Sequence, residues 1–585
     1  MKNITTLFLF ILLLLPGLSR SQSLPVGTGI LEDYYRRAQL LGKVDSSISF
    51  TARPFFPTDP SALRLRSGTT PLRDRYTQGS LHLPVLQSPS PSVPPSPLLP
   101  LVHSSQSSPS STRPSHFLVL LPITLQQQWN SNHPYSLNDG EMIPARGYQT
   151  MVSGGFFAKA GFLTVQLRPE FVYAQNPPFD GFGYSKGQPD YVWQGYYDFL
   201  NRIDLPERFG NKPYSHLSPG QSSIRLNFGP ISTGVSTENM WWGPGIRNSL
   251  LMSNTAGGFL HFTLNTLRPI RTRIGSFEGQ IIAGRLDNSG FYPDTSATWK
   301  ARAWYKPKKD DWRYFNGLVI SYQPKWVPGL FVGLTRSYMV YESEMGNFPV
   351  ISPVNKKNTN GGTEISQGGN QLRSLFARWL MPKSHAEAYF EYGRDDLSYN
   401  LRDLILEPDY TRAYIIGFRK LFMLNESREE YIQFNAEMTQ IEQNTTNKSR
   451  SMTYFYGHPW VTQGYTQRGQ LLGAGIGPGS DMQNMSITWN RGLKLIGIQL
   501  ERYVHNNDFH YLYIKDIRAN WVDFNVALLG EYDYKQFLFN AKAEYITSLN
   551  YEHLYYPLPG SINTFWAPGR NVVDFQVNLG VSYRF

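Results

Sequence analysis

From Val573 to Phe585 the chain alternates without a break. Val573, Phe575, Val577, Leu579, Val581, Tyr583 and Phe585 are apolar or aromatic, and the residues between them are polar, charged or glycine. A period of two predicts a β-strand with one face on an apolar medium and the other on water or a polar interior. An aromatic last residue fits the closing strand of a membrane β-barrel. A half-buried edge strand of a soluble sandwich shows the same alternation, so the remaining segments have to choose.

Similar segments recur along most of the chain. Phe117–Gln128 is one, and Tyr148–Ala158 with Phe162–Ala174 predicts a hairpin around Lys159-Ala160-Gly161. Further strands are expected at 223–228, 258–267, 273–285, 297–305, 317–322, 331–340, 371–380, 386–393, 413–421, 430–437, 452–456, 485–489, 495–504, 509–514, 521–529 and 536–546. Long helical patterns between strands are missing, which argues against an α/β fold. Some connections are tight, whereas 341–369, 457–481 and 549–571 are long and rich in Gly, Asn and Pro. Short turns on one side and long loops on the other mark an outer-membrane barrel. The expected fold is all-β: a large antiparallel transmembrane barrel of about 18 strands, with a short N-terminal helical segment on the periplasmic side. A lumen that wide cannot be filled by wall side chains, so inward-folded polar loops are expected to plug it.

The region before the barrel reads differently. Leu7 to Leu15 is an unbroken apolar run behind a basic Met1-Lys2-Asn3, and Ser19-Arg20-Ser21 offers small residues for cleavage, so residues 1–21 are expected to be a signal peptide. Leu31–Gly42 has helical spacing and stops at Gly42, and Val44–Arg53 alternates weakly as a strand, giving a segment 22–56 at the periplasmic mouth. Residues 57–115 are dominated by Ser and Pro and predict a linker or disordered insertion. The barrel then occupies 116–585.

Composition supports the membrane reading. Charged residues make up 17% and aromatics 14%, against about 25% charged in soluble domains. Low charge with many aromatics suits a lipid-facing wall with interfacial rings. Cysteine is absent, which excludes disulfides, a thiolate metal site and a lipidated anchor. Net charge is +11, which favours acidic glycans or lipid head groups as partners. In an exported chain nucleic acid is excluded as a partner. Outer-membrane lipid and the barrel-assembly machinery that folds such proteins are the other expected partners.

The most unusual chemistry lies at 236–253. Trp241 and Trp242 are adjacent, so their rings cannot share one face of a strand. Gly243-Pro244-Gly245 forces a turn in which backbone can approach closely. Glu238 and Arg247 bracket the turn and are expected to pair across it. An aromatic platform with charged arms is what a sugar-binding surface needs; an inward-folded plug loop that stiffens the barrel is the other reading of the same residues.

This segment resembles the signature of the Wzi family of capsule-assembly proteins, in its Bacteroidetes-type form. Leu31–Ser49, Leu137-Asn138-Asp139-Gly140, Ile143–Tyr148, Gln166–Asn176, Asn201–Gly210 and Gly279–Asp287 resemble the same family. The resemblance implies an outer-membrane barrel of eighteen strands, non-enzymatic, that acts like a lectin in attaching or organising capsular polysaccharide. The N-terminal part departs from it in offering one short helix in place of a helix bundle.

No catalytic motif stands out: a serine-nucleophile elbow, a His-Glu-x-x-His site and a phosphate loop are all missing. The expectation is a protein that is not an enzyme, with no cofactor and no metal. It binds capsular or other surface polysaccharide in the outer membrane of a Gram-negative bacterium. A porin or transporter for small solutes or glycans is the alternative. The expected contact or plug residues are Glu238, Trp241, Trp242, Gly243, Pro244, Gly245 and Arg247. Arg146, Arg202, Arg208, Arg271, Arg273 and Arg285 are added as cations for acidic sugar, with ion pairs in the barrel wall as their structural role otherwise.

Overall fold

The computed structural model describes residues 30–56, 116–182, 188–293, 295, 300–345, 369–395, 401–443, 454–554 and 571–585. The expected signal peptide (1–21) and the Ser/Pro-rich stretch (57–115) lie outside the described residues.

Antiparallel strands close into one ring of 18. They are β1 (His116–Asn130), β2 (Gly147–Ala160), β3 (Leu163–Leu167 and Glu170–Ala174), β4 (Tyr214–Ser218 and Ser223–Phe228), β5 (Ile231–Ser236) and β6 (His261–Thr266 and Ile270–Arg271). β7 (Gly275–Leu286), β8 (Arg313–Pro324), β9 (Leu330–Tyr341), β10 (Asn370–Met381), β11 (Ala386–Asp395) and β12 (Arg412–Asn425) follow. The last six are β13 (Glu430–Gln440), β14 (Asp481–Arg491), β15 (Lys494–Val504), β16 (Val522–Tyr534), β17 (Phe537–Leu549) and β18 (Val572–Tyr583). Three strands are split, and each break contains a proline: Pro169, Pro219 or Pro269. Proline cannot donate to the ladder, so the pairing lapses and resumes beyond it. The seam is the β1–β18 pair, registered from Ile123 opposite Tyr583 to Asn130 opposite Gln576. Closure leaves no free sheet edge.

The alternation of β18 works as expected, turned inside out relative to a soluble sheet. Val573 and Leu579 are 43% and 47% exposed, while Asp574 is fully buried and Gln576 is 2% exposed. The apolar face therefore looks outward into lipid and the polar face looks into the barrel. Exposed large residues such as Phe171, Leu375, Trp379, Phe418, Ile487, Ile498 and Leu528 continue this apolar belt round the wall.

Several expectations are corrected. Ala301–Trp304, expected within a strand at 297–305, is a helical turn. The expected strand 509–514 is helical, with Asn507–Phe509 and His510–Ile514 forming consecutive turns. Tyr454–Tyr456, expected to end a strand, is irregular chain. Each run is short and aromatic, and periodicity over five to nine residues cannot separate helix from strand. Of the expected strand 44–53, only Ala52–Arg53 pairs, with Trp241–Trp242. β5 went unread because Ser232, Thr233, Gly234 and Ser236 dilute its apolar face. A helix in the long β3–β4 loop, Asp190–Leu200, also went unread; it buries Val192, Trp193, Tyr197 and Leu200.

The N-terminal helix α1 (Ile30–Leu40) sits within the ring at the short-turn end, which in outer-membrane barrels faces the periplasm. Leu31 and Tyr34 pack on Leu493 and Leu538, and Leu40 packs on Phe331, Leu380, Leu421 and Tyr431. All six wall residues flank short turns. Gly42, at φ +69°, ends the helix in a conformation that other side chains resist.

Candidate functional site

The β5–β6 loop does not stay outside. From Thr237 to Phe259 it runs into the lumen, and its centre is apolar, contrary to the polar plug expected. Trp242, Leu250, Leu251 and Met252 form one buried cluster with wall residues Ile282, Phe315, Val319, Met339, Leu372, Phe376, Tyr389 and Ile415. Tyr456, Tyr465 and Leu472 of the β13–β14 loop join the same cluster. Those wall positions point inward, so the inner face of β7 to β12 is locally greasy. This explains why β8 reads as a nearly continuous apolar run: one face meets lipid and the other meets the plug.

Backbone geometry lets the plug fit. Gly243 has φ +106°, and a Cβ there would lie 2.7 Å from the Glu391 carboxylate. On the facing wall, a Cβ on Gly317 would lie 2.6 Å from the Trp242 ring. Glycine thus opens a notch in β8 for the indole. Trp242 is fully buried and its Nε1 donates to Gln280 at 2.9 Å. Trp241 is 4% exposed, with the Arg53 guanidinium 5.2 Å over its ring. Neither ring presents a free face, so the expected tryptophan platform is not available to a ligand.

Polar bonds tie the plug to the wall. The Glu437 carboxylate of β13 accepts the backbone amides of Ile246, Arg247 and Asn248 at 2.7, 3.0 and 2.8 Å, and the Tyr389 hydroxyl at 2.7 Å. Glu238 and Arg247 do not pair with each other as expected. Glu238 meets Arg225 of β4 at 2.6 Å, and Arg247 places Nε and Nη2 on Glu501 of β15 at 3.0 and 3.2 Å. Glu238, just past β5, stays beside the adjacent strand β4, whereas Arg247 in mid-loop crosses the lumen to the opposite wall. Burial disfavours the Arg247 charge, but Glu501 more than offsets it and its pKa is raised.

The loop also touches the N-terminal segment. Gly243 N donates to Thr51 O at 2.8 Å. Arg36 donates to Pro244 O at 2.7 Å, and Arg36 and Arg53 each reach Gly245 O at 3.5 Å. Arg36 meets Glu387 of β11 at 2.9 Å on its other edge. Arg378 and Arg419 bind the same carboxylate at 2.6 and 3.7 Å, so three guanidiniums share one buried Glu. Asp33 meets Arg419 at 2.6 Å and Arg37 at 3.4 Å. Burial alone would raise its pKa, but these arginines outweigh it and hold the carboxyl below its ordinary value.

The remaining expected arginines are not brought together. Arg146, Arg202, Arg208 and Arg285 lie at the long-loop end. Arg146 binds the carbonyls of Ser131 and Pro178, Arg202 pairs with Asp198, Arg208 binds the Asn176 carbonyl, and Arg285 pairs with Asp287. Arg271 and Arg273 are exposed at the opposite end, with Arg271 on Asp45. Only Arg247 reaches the lumen. The sequence reading missed Glu387, Glu437 and Glu501, although a carboxylate on the inward face of an alternating strand is a visible signal.

Between the plug and the wall of β1, β2, β3, β17 and β18 lies a cavity of about 340 Å³. Gln126, Asn239, Asn254, Asn540 and Asn578 line it, together with Arg247, which keeps 19% exposure. Part of its wall is an amide chain: Gln221 Nε2 donates to Asn239 Oδ1 at 3.1 Å, Asn239 Nδ2 to Asn254 Oδ1 at 2.5 Å, Asn254 Nδ2 to Asn138 O at 2.7 Å, and Asn138 Nδ2 to Arg247 O at 2.8 Å. Carboxamides both donate and accept, which matches the hydroxyls of a sugar.

A family model described as capsule assembly protein Wzi matches residues 145–316, which include the plug loop. Among solved structures, the chain is similar to Wzi of Escherichia coli, described as an outer membrane protein involved in group 1 capsule assembly and a carbohydrate-binding β-barrel. Identity is 13%, the alignment covers 79% of this chain and 84% of that one, and the TM-score is 0.50. OccAB2 of Acinetobacter baumannii (11% identity, 79% and 98% covered, TM-score 0.38) and OprD of Pseudomonas aeruginosa (8%, 79% and 92%, TM-score 0.36) are more distant barrels. No curated protein matches the chain by sequence. Residues 145–316 thus match the Wzi family of capsule-assembly proteins, and the barrel around them is that of a protein of the Gram-negative outer membrane.

Proposed function

We propose that this barrel binds capsular or other surface polysaccharide and helps attach or assemble it at the cell surface, without catalysing a reaction. The observation that carries this reading is the lumen itself. An apolar-cored plug blocks its middle, and a carboxamide-lined cavity with Arg247 at its wall lies against that plug. A solute pore needs a continuous polar path, which the plug interrupts. A polyhydroxyl ligand needs mixed donors and acceptors on rigid walls, which the amide chain supplies. The E. coli relative, a carbohydrate-binding barrel, supports the same ligand class. In this reading residues 1–21 direct export, residues 57–115 link the N-terminal segment to the wall, and the barrel-assembly machinery inserts the strands into outer-membrane lipid.

The test is capsule retention in a host lacking the chromosomal copy. Arg247→Ala with Asn239→Ala is expected to release polymer into the medium at unchanged protein level in the outer membrane. Full retention by this variant would refute the assignment of the cavity. The porin alternative is checked in planar bilayers: large, stable conductance from the intact protein would replace the binding reading.

A further inference from the structure

A second cavity, of about 480 Å³, lies at the other side of the plug's root, between the N-terminal segment and the wall of β6 and β7. Phe55, Pro54 and Ile48 form one side, and Pro230, Leu267 and Pro269 the other. Its floor is polar: Glu278 and Gln280 of β7 and Asn265 of β6. Gln280 is the acceptor for Trp242, so this floor abuts the plug. Its rim is at the short-turn end, where Arg268 is exposed and Arg271 pairs with Asp45. The cavity therefore faces the periplasm. None of the residues expected from sequence to contact glycan lines it except Arg271.

We propose that this cavity is a second glycan subsite, at the periplasmic mouth, for a neutral pyranose segment. The proposal rests on the carbohydrate reading above and adds a place and a sugar class to it. Phe55 supplies an apolar wall for the CH face of a ring. Glu278 takes the Ser49 amide on Oε2 at 2.6 Å, and its carboxylate lines the cavity. Its carboxyl can hydrogen-bond ring hydroxyls, and the floor holds no cation to receive a uronate. Arg268 at the rim is placed for a neighbouring residue of the same polymer, not for the ring on the floor. An extended peptide fits less well, because the closed ring offers it no sheet edge to pair with.

The experiment uses the full-length protein in detergent and oligosaccharides released by mild acid from the host's own capsule, separated by anion exchange into neutral and acidic fractions. Binding is followed by calorimetry and by saturation-transfer NMR. The neutral fraction is expected to bind, with affinity at least tenfold weaker in Phe55→Ala and in Glu278→Gln and restored in Phe55→Trp. All variants are first checked for the compact, heat-modifiable gel mobility of a folded barrel. Binding of the acidic fraction alone, or wild-type affinity in both Phe55→Ala and Glu278→Gln, would overturn the subsite. If those variants bind normally while Arg247→Ala does not, the lumen cavity stands and this one falls. If no fraction binds the wild-type protein, both fall.

Discussion

At the residue scale, one carboxylate and one imidazole carry testable weight. Glu437 satisfies three consecutive backbone amides of the plug and the Tyr389 hydroxyl. Each buried donor left unpaired costs roughly 1–3 kcal/mol. Glu437→Ala is therefore expected to lower the denaturant midpoint in micelles, and Glu437→Gln to lower it less; equal midpoints for all three proteins would show that the plug does not depend on this group. His458, in the β13–β14 loop, behaves differently. Its Nδ1 accepts the amides of Trp460 and Val461 at 3.3 and 2.9 Å, which requires the ring nitrogen to be unprotonated. Burial first, and then the Arg202 charge, push its pKa from 6.5 down to about 4. With the folded value below the unfolded one, the unfolded chain takes up the proton first as pH falls. The stability this ring contributes is complete above about pH 6.5 and declines toward about pH 4. Limited proteolysis of 454–480 is expected to accelerate across that window, and less so in His458→Asn. The tryptophan-glycine-proline run announces itself in the sequence because its composition is odd. Its partners show in the sequence only as carboxylates on inward strand faces; that Glu437 and Glu501 meet this loop follows from closure, since both are distant from it in sequence.

At the element scale, the strands were legible and the inserts were not. Thirteen residues of strict alternation, Val573 to Phe585, leave little choice of structure, and the same logic found most of the wall. It stumbled where proline splits β3, β4 and β6, where β5 is Ser-rich, and where short aromatic runs in the outer loops turn into helices. The apolar centre of the plug was hidden for another reason. Leu250, Leu251 and Met252 lie in a stretch without periodicity, and only the greasy inner faces of β7 to β12 give them a place to go. Leu250→Ala is expected to cost about 2–5 kcal/mol, read as a lower unfolding midpoint, since the side chain is fully buried. Replacing 240–252 with a Gly-Ser linker of equal length is expected to give stepwise conductance in planar bilayers where the intact protein is silent; continued silence would mean that the β13–β14 loop closes the lumen unaided.

At the scale of the whole molecule, the outward apolar belt and the closed seam define the location. The seam is short: β1 meets β18 only from Ile123 onward. Deleting 581–585 removes three of its rungs, together with those to Phe537, Leu538 and Phe539 of β17. The expected outcome is a large fall in the membrane-integrated, heat-modifiable form with little change in total synthesis.

The two inserts meet where Arg36 and Thr51 hold the Gly243-Pro244-Gly245 turn. One arrives from the periplasmic mouth and the other from the cell exterior, and the indole at the root of the turn is seated in a slot of the wall at Gly317. They are thus a jointed rod, not two independent corks. A pull on α1 by anything docked beneath the membrane would be borne by the outer loops as well, so the two inserts form one path along which the two sides of the membrane can push on each other.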